Sequence, residues 1–333
     1  MDVECGAHVS AFFRYLEERR VLYDWGKSGV HAYGEAFVNK LKMYEHVIGE
    51  QARRLFPGIE CIAMPVEIPV EIARRTHLMQ TMPTILLYPH GIEDCYFCSQ
   101  KFNFQEEAVG CSERKDCAAT NMRSMLKHST CLPLYRLLED TVVEEGGRTF
   151  LVEGLCFRNE PESDPMTFHL REFHMTEVVF VGPESYCREG LKAAEGIMGE
   201  VASVLGEGYH RVLASDSFCP QLGDRISGFQ KMTSAKHEYM FPLLEDGRLL
   251  ACGSSNNHRN TFSKTFNIRL RDGGLASSSC FAFGLERLCF VDYAHEFARY
   301  VRADGVEGLC EAEKDSLVKA DARPGKRISS HHK

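Results

Sequence analysis

Apolar positions recur at helical spacing from Ala7 to Arg20. They recur again over a longer amphipathic stretch from His31 to Phe56, where Pro57-Gly58 stops the pattern. The next segment, Ile59 to Ile68, is extended and largely apolar, with Pro65 inside it. Strands are predicted at Thr149 to Arg158, Phe168 to Val181, Arg211 to Ala214 and Leu249 to Ser255, the last after the turn Glu245-Asp246-Gly247. A helix is predicted between them from Glu184 to Leu205. Beyond Tyr300 the chain turns polar, ending in KRISSHHK, and 301–333 is expected to be a loosely ordered tail after a single domain over 1–300. No internal repeat or low-complexity tract interrupts this order.

The densest polar patterning lies between Phe157 and Glu177, FRNEPESDPMTFHLREFHMTE. Side chains alternate faces along a strand, so Arg158 and Glu160 would share one, and so would His169, Phe173 and Glu177. The loop between them, with Pro161, Asp164 and Pro165, is too polar and proline-rich to continue pairing. A guanidinium forks onto phosphate oxygens and a phenyl ring offers a stacking surface for a base. An ordinary charged hairpin with one face in water explains any single pair here; the whole set points to a nucleotide site. A second segment, CFAFGLER from Cys280 to Arg287, alternates small and large apolar residues and ends in Gly284-Leu285-Glu286-Arg287.

Composition sets limits. With 333 residues, 44% hydrophobic and 26% charged, the proportions are globular, and no apolar run approaches a membrane span. The N-terminus turns charged too soon for a secretory signal, so a cytoplasmic protein is expected. Fourteen cysteines at irregular spacings then argue for thiols and metal ligands rather than disulfides. The net charge of −8, with only short basic spots at Arg123 to Lys127 and Arg323 to Arg327, makes tRNA an improbable partner. Cys95-x-x-Cys98, followed by Cys111 and Cys117 with His90 nearby, is a loose second metal signal; plain thiols are the simpler reading.

The hairpin resembles motif 2 of the class II aminoacyl-tRNA synthetases, and CFAFGLER resembles their motif 3, although Cys280 and Ala282 stand where glycines are usual. The helix-then-strand pattern before Pro65 is similar, more loosely, to motif 1, the dimerisation element. The resemblance implies an α+β fold, a mainly antiparallel sheet flanked by helices, forming a homodimer. It also implies that Cys131, Glu177 and Cys280 converge, although their spacing alone says little. Two thiolates and a carboxylate suit Zn2+ with a fourth position open, where a substrate amine could bind.

With TCLPLY around Cys131, CFRNEPESDP, and Asn256-x-His258-Arg259, the chain more narrowly resembles the amino acid:[carrier protein] ligases. These are truncated relatives of the methanogen-type seryl-tRNA synthetases, without their tRNA-binding domain. That resemblance implies activation of an amino acid with ATP and Mg2+ as an aminoacyl-adenylate, then transfer to the phosphopantetheine thiol of a carrier protein. It assigns Arg158 to the α-phosphate and the reacting carboxylate, Glu160 to the adenine end, His169 to the γ-phosphate and Phe173 to adenine stacking. Arg287 would cover the other side of the base and meet the phosphates. Leu170, Lys236, Ala251, Cys252, Gly253 and Ser254 would line the nucleotide, and Cys131, Glu177 and Cys280 would hold zinc. Departures from the family pattern are His169, His174, Thr176, Asn257, the run Ser277-Ser278-Ser279, and Leu250, the last standing where an acidic magnesium ligand is common. They imply a shifted substrate, a weaker ATP site or lost activity; the alternatives are a tRNA or small-amine acceptor and an inactive paralogue.

Overall fold

The computed structural model describes residues 2–27, 29–89, 123–160, 168–215, 235–244 and 247–304. The cysteines at 95, 98, 111 and 117, His90, the loop prolines 161 and 165, residues 245–246 of the expected turn, and the 305–333 tail lie outside the described residues.

The helices are α1 (Asp2–Glu18), α2 (Glu35–Leu55), the short α3 (Val70–Arg75) and α4 (Leu78–Thr81), α5 (Cys131–Leu137), α6 (Glu184–Leu205), α7 (Thr261–Phe266) and α8 (Leu285–Asp304). The strands are β1 (Leu22–Lys27), β2 (Val30–Tyr33), β3 (Glu60–Ala63), β4 (Glu67–Pro69), β5 (Ser124–Leu126), β6 (Val142–Val143), β7 (Arg148–Phe157), β8 (Glu172–Gly182), β9 (His210–Leu213), β10 (Lys236–Pro242), β11 (Leu249–Arg259), β12 (Arg269–Leu270) and β13 (Ser277–Gly284). Seven of them form one sheet in the order β3-β7-β8-β13-β11-β10-β9, antiparallel throughout except for the β3–β7 pair.

The two faces of this sheet have different tasks. Val178, Phe180, Phe281 and Phe283 point to one side and pack with Ile197, Met198 and Val201 of α6, in a core that also takes Leu41, Tyr44 and Ile48 of α2. Gly253 belongs to this side because of close approach: a Cβ there would meet the Met198 methyl at 2.4 Å and the Ala282 carbonyl at 2.9 Å. The other face is closed at one end by Leu134 and Tyr135 of α5 and Phe266 of α7, packed on Phe150, Val152, Val179 and Val181. Its remaining length carries the polar residues described below. A salt bridge from Lys40 to Asp292 (2.7 Å) ties α2 to α8, with Tyr44 donating to the same carboxylate at 2.9 Å.

Three expected boundaries move. The helix expected from His31 begins at Glu35, because His31 to Tyr33 pair with Leu22 to Asp24 as a hairpin. The extended segment Ile59 to Ile68 divides into β3 and β4, which join different sheets. The strand expected from Phe168 begins at Glu172: Phe168 sits in the left-handed region (φ 56°), which ends any strand and costs of order 1–3 kcal/mol for such a side chain. Its ring is held against Phe13 (5.4 Å between centroids) and Phe290 (5.3 Å), and its carbonyl accepts from Arg287 Nε at 3.3 Å.

Candidate active site

Sheet register arranges the polar face as a grid. Gly154 of β7 lies opposite Met175 of β8, which lies opposite Gly284 of β13. One step along, Val152, Glu177, Ala282, Ser254 and Glu238 form a row across five strands. The step after that places Val179, Cys280, Asn256 and Lys236 side by side. A pocket opens over this grid. Every residue expected around the nucleotide lines it except His169: Arg158, Glu160, Leu170, Phe173, Lys236, the run Ala251 to Ser254, and Arg287. His169 precedes β8, so the alternation that aligns Phe173 with Glu177 does not reach it, and its side chain is exposed.

Arg158 and Glu160 also lie past the end of their strand, which closes at Phe157. Their placement comes from one further pairing, Arg158 N–H to the Arg171 carbonyl (2.9 Å), and from Arg171 Nη1 donating to the Glu160 carbonyl at 2.9 Å. The Arg158 guanidinium sits 5.0 Å from the Phe173 ring centroid and its Nε donates to the His128 carbonyl at 3.2 Å. Arg287 enters from the first turn of α8 and donates from Nη1 to the Ala251 carbonyl at 2.9 Å. Burial, and then the neighbouring Arg158 charge, hold Arg287 below the usual guanidinium range. The two cations thus face one pocket with no carboxylate partner within salt-bridge distance among the described residues.

Cys131, Glu177 and Cys280 converge at the edge of the grid, with their ligand atoms all within 4.8 Å of one another. All three are buried. Glu177 Oε1 accepts from Thr130 N (2.8 Å), Thr130 Oγ1 (2.8 Å) and Cys131 N (3.1 Å), so the turn into α5 fixes the carboxylate while bringing Cys131 beside it. The Cys280 thiol is pushed well up by its hydrogen bond with Cys131, then burial, then the Glu177 charge. Cys131 is also raised: its bond to Cys280 works the other way, but burial and Glu177 outweigh it. Two buried thiols and a carboxylate this close are a donor set able to hold a metal ion.

Several residues at the site carry no assigned role in the sequence reading. Met175, Ala282 and Gly284 line the pocket, and strand alternation between Phe173 and Glu177, and from Cys280 onward, is the signal that would have found them. Lys127, read as part of a short basic spot, is fully buried and donates to the Met64 carbonyl at 2.6 Å. It enters through the space left by Gly154 (φ 146°), where a Cβ would lie 2.8 Å from its Nζ. Glu286 is buried beside the pocket, accepting the His174 backbone N–H at 2.8 Å and pairing with His174 Nδ1 at 2.7 Å. Leu250 belongs to the apolar core and is not a lining residue.

The hydrogen bond to Glu286 raises His174 above its ordinary 6.5, with burial opposing. The folded protein therefore holds this proton more tightly than the unfolded chain does. The stabilisation is complete below pH 6.5 and is lost as pH climbs through the raised value. We expect the melting-temperature gap between wild type and His174→Gln to shrink as pH rises from 6 to alkaline values; a gap constant with pH would reject the pair as a stabilising contact.

No family model matches the chain. Among curated proteins it is 32% identical over 282 residues to amino acid–[acyl-carrier-protein] ligase 2 of Bradyrhizobium diazoefficiens, covering 80% of this chain and 78% of that one. It is 30% identical over 165 residues to ligase 1 of the same organism, covering 49% of this chain and 50% of that one. Among solved structures it resembles M. kandleri SerRS, in complex with A. aeolicus tRNASec, at a TM-score of 0.69 and 18% identity; the match covers 96% of this chain and 60% of that chain. It also resembles Giardia lamblia prolyl-tRNA synthetase, in complex with prolyl-adenylate, at 0.62 and 12%, over 85% of this chain and 52% of that chain. The fold is the class II aminoacyl-tRNA synthetase catalytic fold, as the motifs implied.

Proposed function

The chain belongs to the amino acid–[acyl-carrier-protein] ligase family, and on that premise we propose that it condenses an amino acid with ATP to an aminoacyl-adenylate and passes the acyl group to a carrier-protein thiol. The observation that carries this reading is the juxtaposition of a two-arginine pocket with a buried Cys-Glu-Cys trio on one sheet face. From Phe173 to Glu177 along β8 is about 13 Å at strand rise, room for an adenylate laid from base to amine.

Residue by residue, Phe173 stacks on the adenine and Glu160 faces its edge. Arg158 meets the α-phosphate and the incoming carboxylate, and Arg287 takes the phosphate tail. Bound to Cys131, Glu177 and Cys280, a zinc ion would supply a Lewis-acid position for the neutral amine of the substrate. Among the lining carboxylates Glu286 is engaged by His174 and Glu160 is given to the adenine edge, so Glu238, paired with Lys236 at 3.4 Å, would exchange that partner to help hold Mg2+. The carboxylate displaces pyrophosphate at the α-phosphorus, and no side-chain nucleophile takes part. The rate comes from positioning and from cations placed where phosphate charge spreads. A thiolate then attacks the activated carbonyl and AMP leaves. Two chains are proposed to pair through α2 and β3.

ATP–pyrophosphate exchange across the common amino acids tests this directly, with and without a zinc chelator, followed by transfer assays with phosphopantetheinylated carrier protein, tRNA and small amines. Chelator-sensitive exchange with transfer to the carrier, in protein of twice the chain mass by light scattering, is the expected result. Acylation of tRNA or an amine would replace the acceptor, and no exchange in folded, metal-loaded protein would reject the activity.

A further inference from the structure

The two thiols of the trio have unequal surroundings. The Cys131 sulfur has the Ser129 hydroxyl 3.8 Å away, whereas the Cys280 sulfur has two nitrogen neighbours, Asn256 Nδ2, which donates to it at 3.6 Å, and His258 Nε2 at 3.7 Å. Both come from the end of β11. Register makes Asn256 the direct neighbour of Cys280, and an irregularity in the β11–β13 pairing between Asn257 and Arg259 goes with the placement of His258 against the same sulfur. Asn256 Nδ2 also reaches Ser254 Oγ at 3.1 Å, and Ser254 lines the nucleotide pocket. Behind His258 stands Tyr135 of α5, with its hydroxyl 2.9 Å from Nδ1. Phe262 stacks on Tyr135 at 4.2 Å between centroids, and the His258 ring meets both edge-on, at 89° and 77°. The imidazole is therefore locked in rotation. A thiolate only accepts hydrogen bonds, so a neutral His258 that bonds it carries its hydrogen on Nε2, and Nδ1 accepts from the tyrosine hydroxyl.

We propose that Asn256, His258 and Tyr135 form a positioning relay that fixes Cys280 Sγ as a metal ligand and draws electron density from it through two N–H···S hydrogen bonds. Cys131 is left as the more electron-rich thiolate. The relay rests on the reading of the trio as a metal site. It deepens that reading, because the polarisation of the metal's open position depends on how much charge its sulfurs give up. It also links the two halves of the site physically, since Asn256 spans a pocket residue and a metal ligand.

The test uses the full chain loaded with Co2+ in place of zinc, reading the sulfur-to-cobalt charge-transfer band and the metal affinity. His258→Leu should move the band to lower energy and weaken metal binding about 10–100-fold. His258→Gln, whose amide nitrogen reaches close to the lost Nε2, should restore the band towards wild type, which a filler of space would not do. Tyr135→Phe removes one oxygen and should shift the band in the same direction but less, and it keeps the test open should His258→Leu fail to fold. A wild-type thiolate band left unmoved by the folded variants overturns the relay and leaves the metal site standing. Absence of any thiolate band in cobalt-treated wild type overturns both.

Discussion

Cys280→Ala is expected to strip the metal from the protein and lower amino-acid-dependent pyrophosphate exchange by at least about a hundredfold, beyond the upper end of what a lost outer-shell partner costs. Cys131, Glu177 and Cys280 are all buried within 4.8 Å of one another, so a cation is what allows the thiols to ionise there. Metal binding must displace their protons, so apparent affinity should also rise with pH. Removing Cys280 leaves one thiol and a carboxylate whose Oε1 is already engaged by three donors. Cys187→Ala is the matched control. Among the described residues its buried thiol, pushed up to about 12 by burial, bonds only backbone carbonyls of Phe180, Gly182 and Ser277, so its loss should cost stability without touching the metal. Metal analysis of the two variants separates the cases. Full occupancy in Cys280→Ala would remove the trio from the site.

How much of this site was legible in the sequence depends on which physical link each residue uses. Phe173 and Glu177 were readable because both sit inside β8, where alternation holds. His169 falls outside the alternation because β8 begins only at Glu172, and the left-handed backbone of Phe168 just before it, held by packing of the ring on Phe13 and Phe290 and by the carbonyl given to Arg287, is something no periodicity can reveal. His31 was assigned to a helix for a similar reason. Its apolar neighbours fit both periods, and pairing with β1 decides the matter. The trio was legible only through the family resemblance, since three residues separated by dozens of positions meet by sheet register and by the Thr130–Glu177 hydrogen bonds that seat α5. Lys127 was hidden for the opposite reason. A lysine among basic neighbours reads as solvated surface, and only the missing side chain of Gly154 makes room to bury it.

Arg287→Ala should lower kcat/KM for adenylate formation by about 10²–10³, the range for removing one preorganised donor to developing charge, while the protein still folds and keeps its metal. Arg287 is half-buried, and the loss of water around it, together with the Arg158 charge beside it, disfavours its cation. Two cations held together in this way are stabilised by an anion that occupies the pocket, so part of the binding energy of ATP is relief of their repulsion. Deleting Arg287 removes that repulsion but also orphans the Ala251 and Phe168 carbonyls, costs of opposite sign that keep the net stability change small. The separating measurement is the ATP-induced rise in melting temperature, which should be large in wild type and nearly absent in the variant. Arg287→Lys should recover little, because an ammonium cannot reach two carbonyls and a phosphate with one fixed fork. An undiminished ATP-induced shift in Arg287→Ala would place the phosphates elsewhere, and the pairing of this residue with Arg158 would then be a feature of the fold alone.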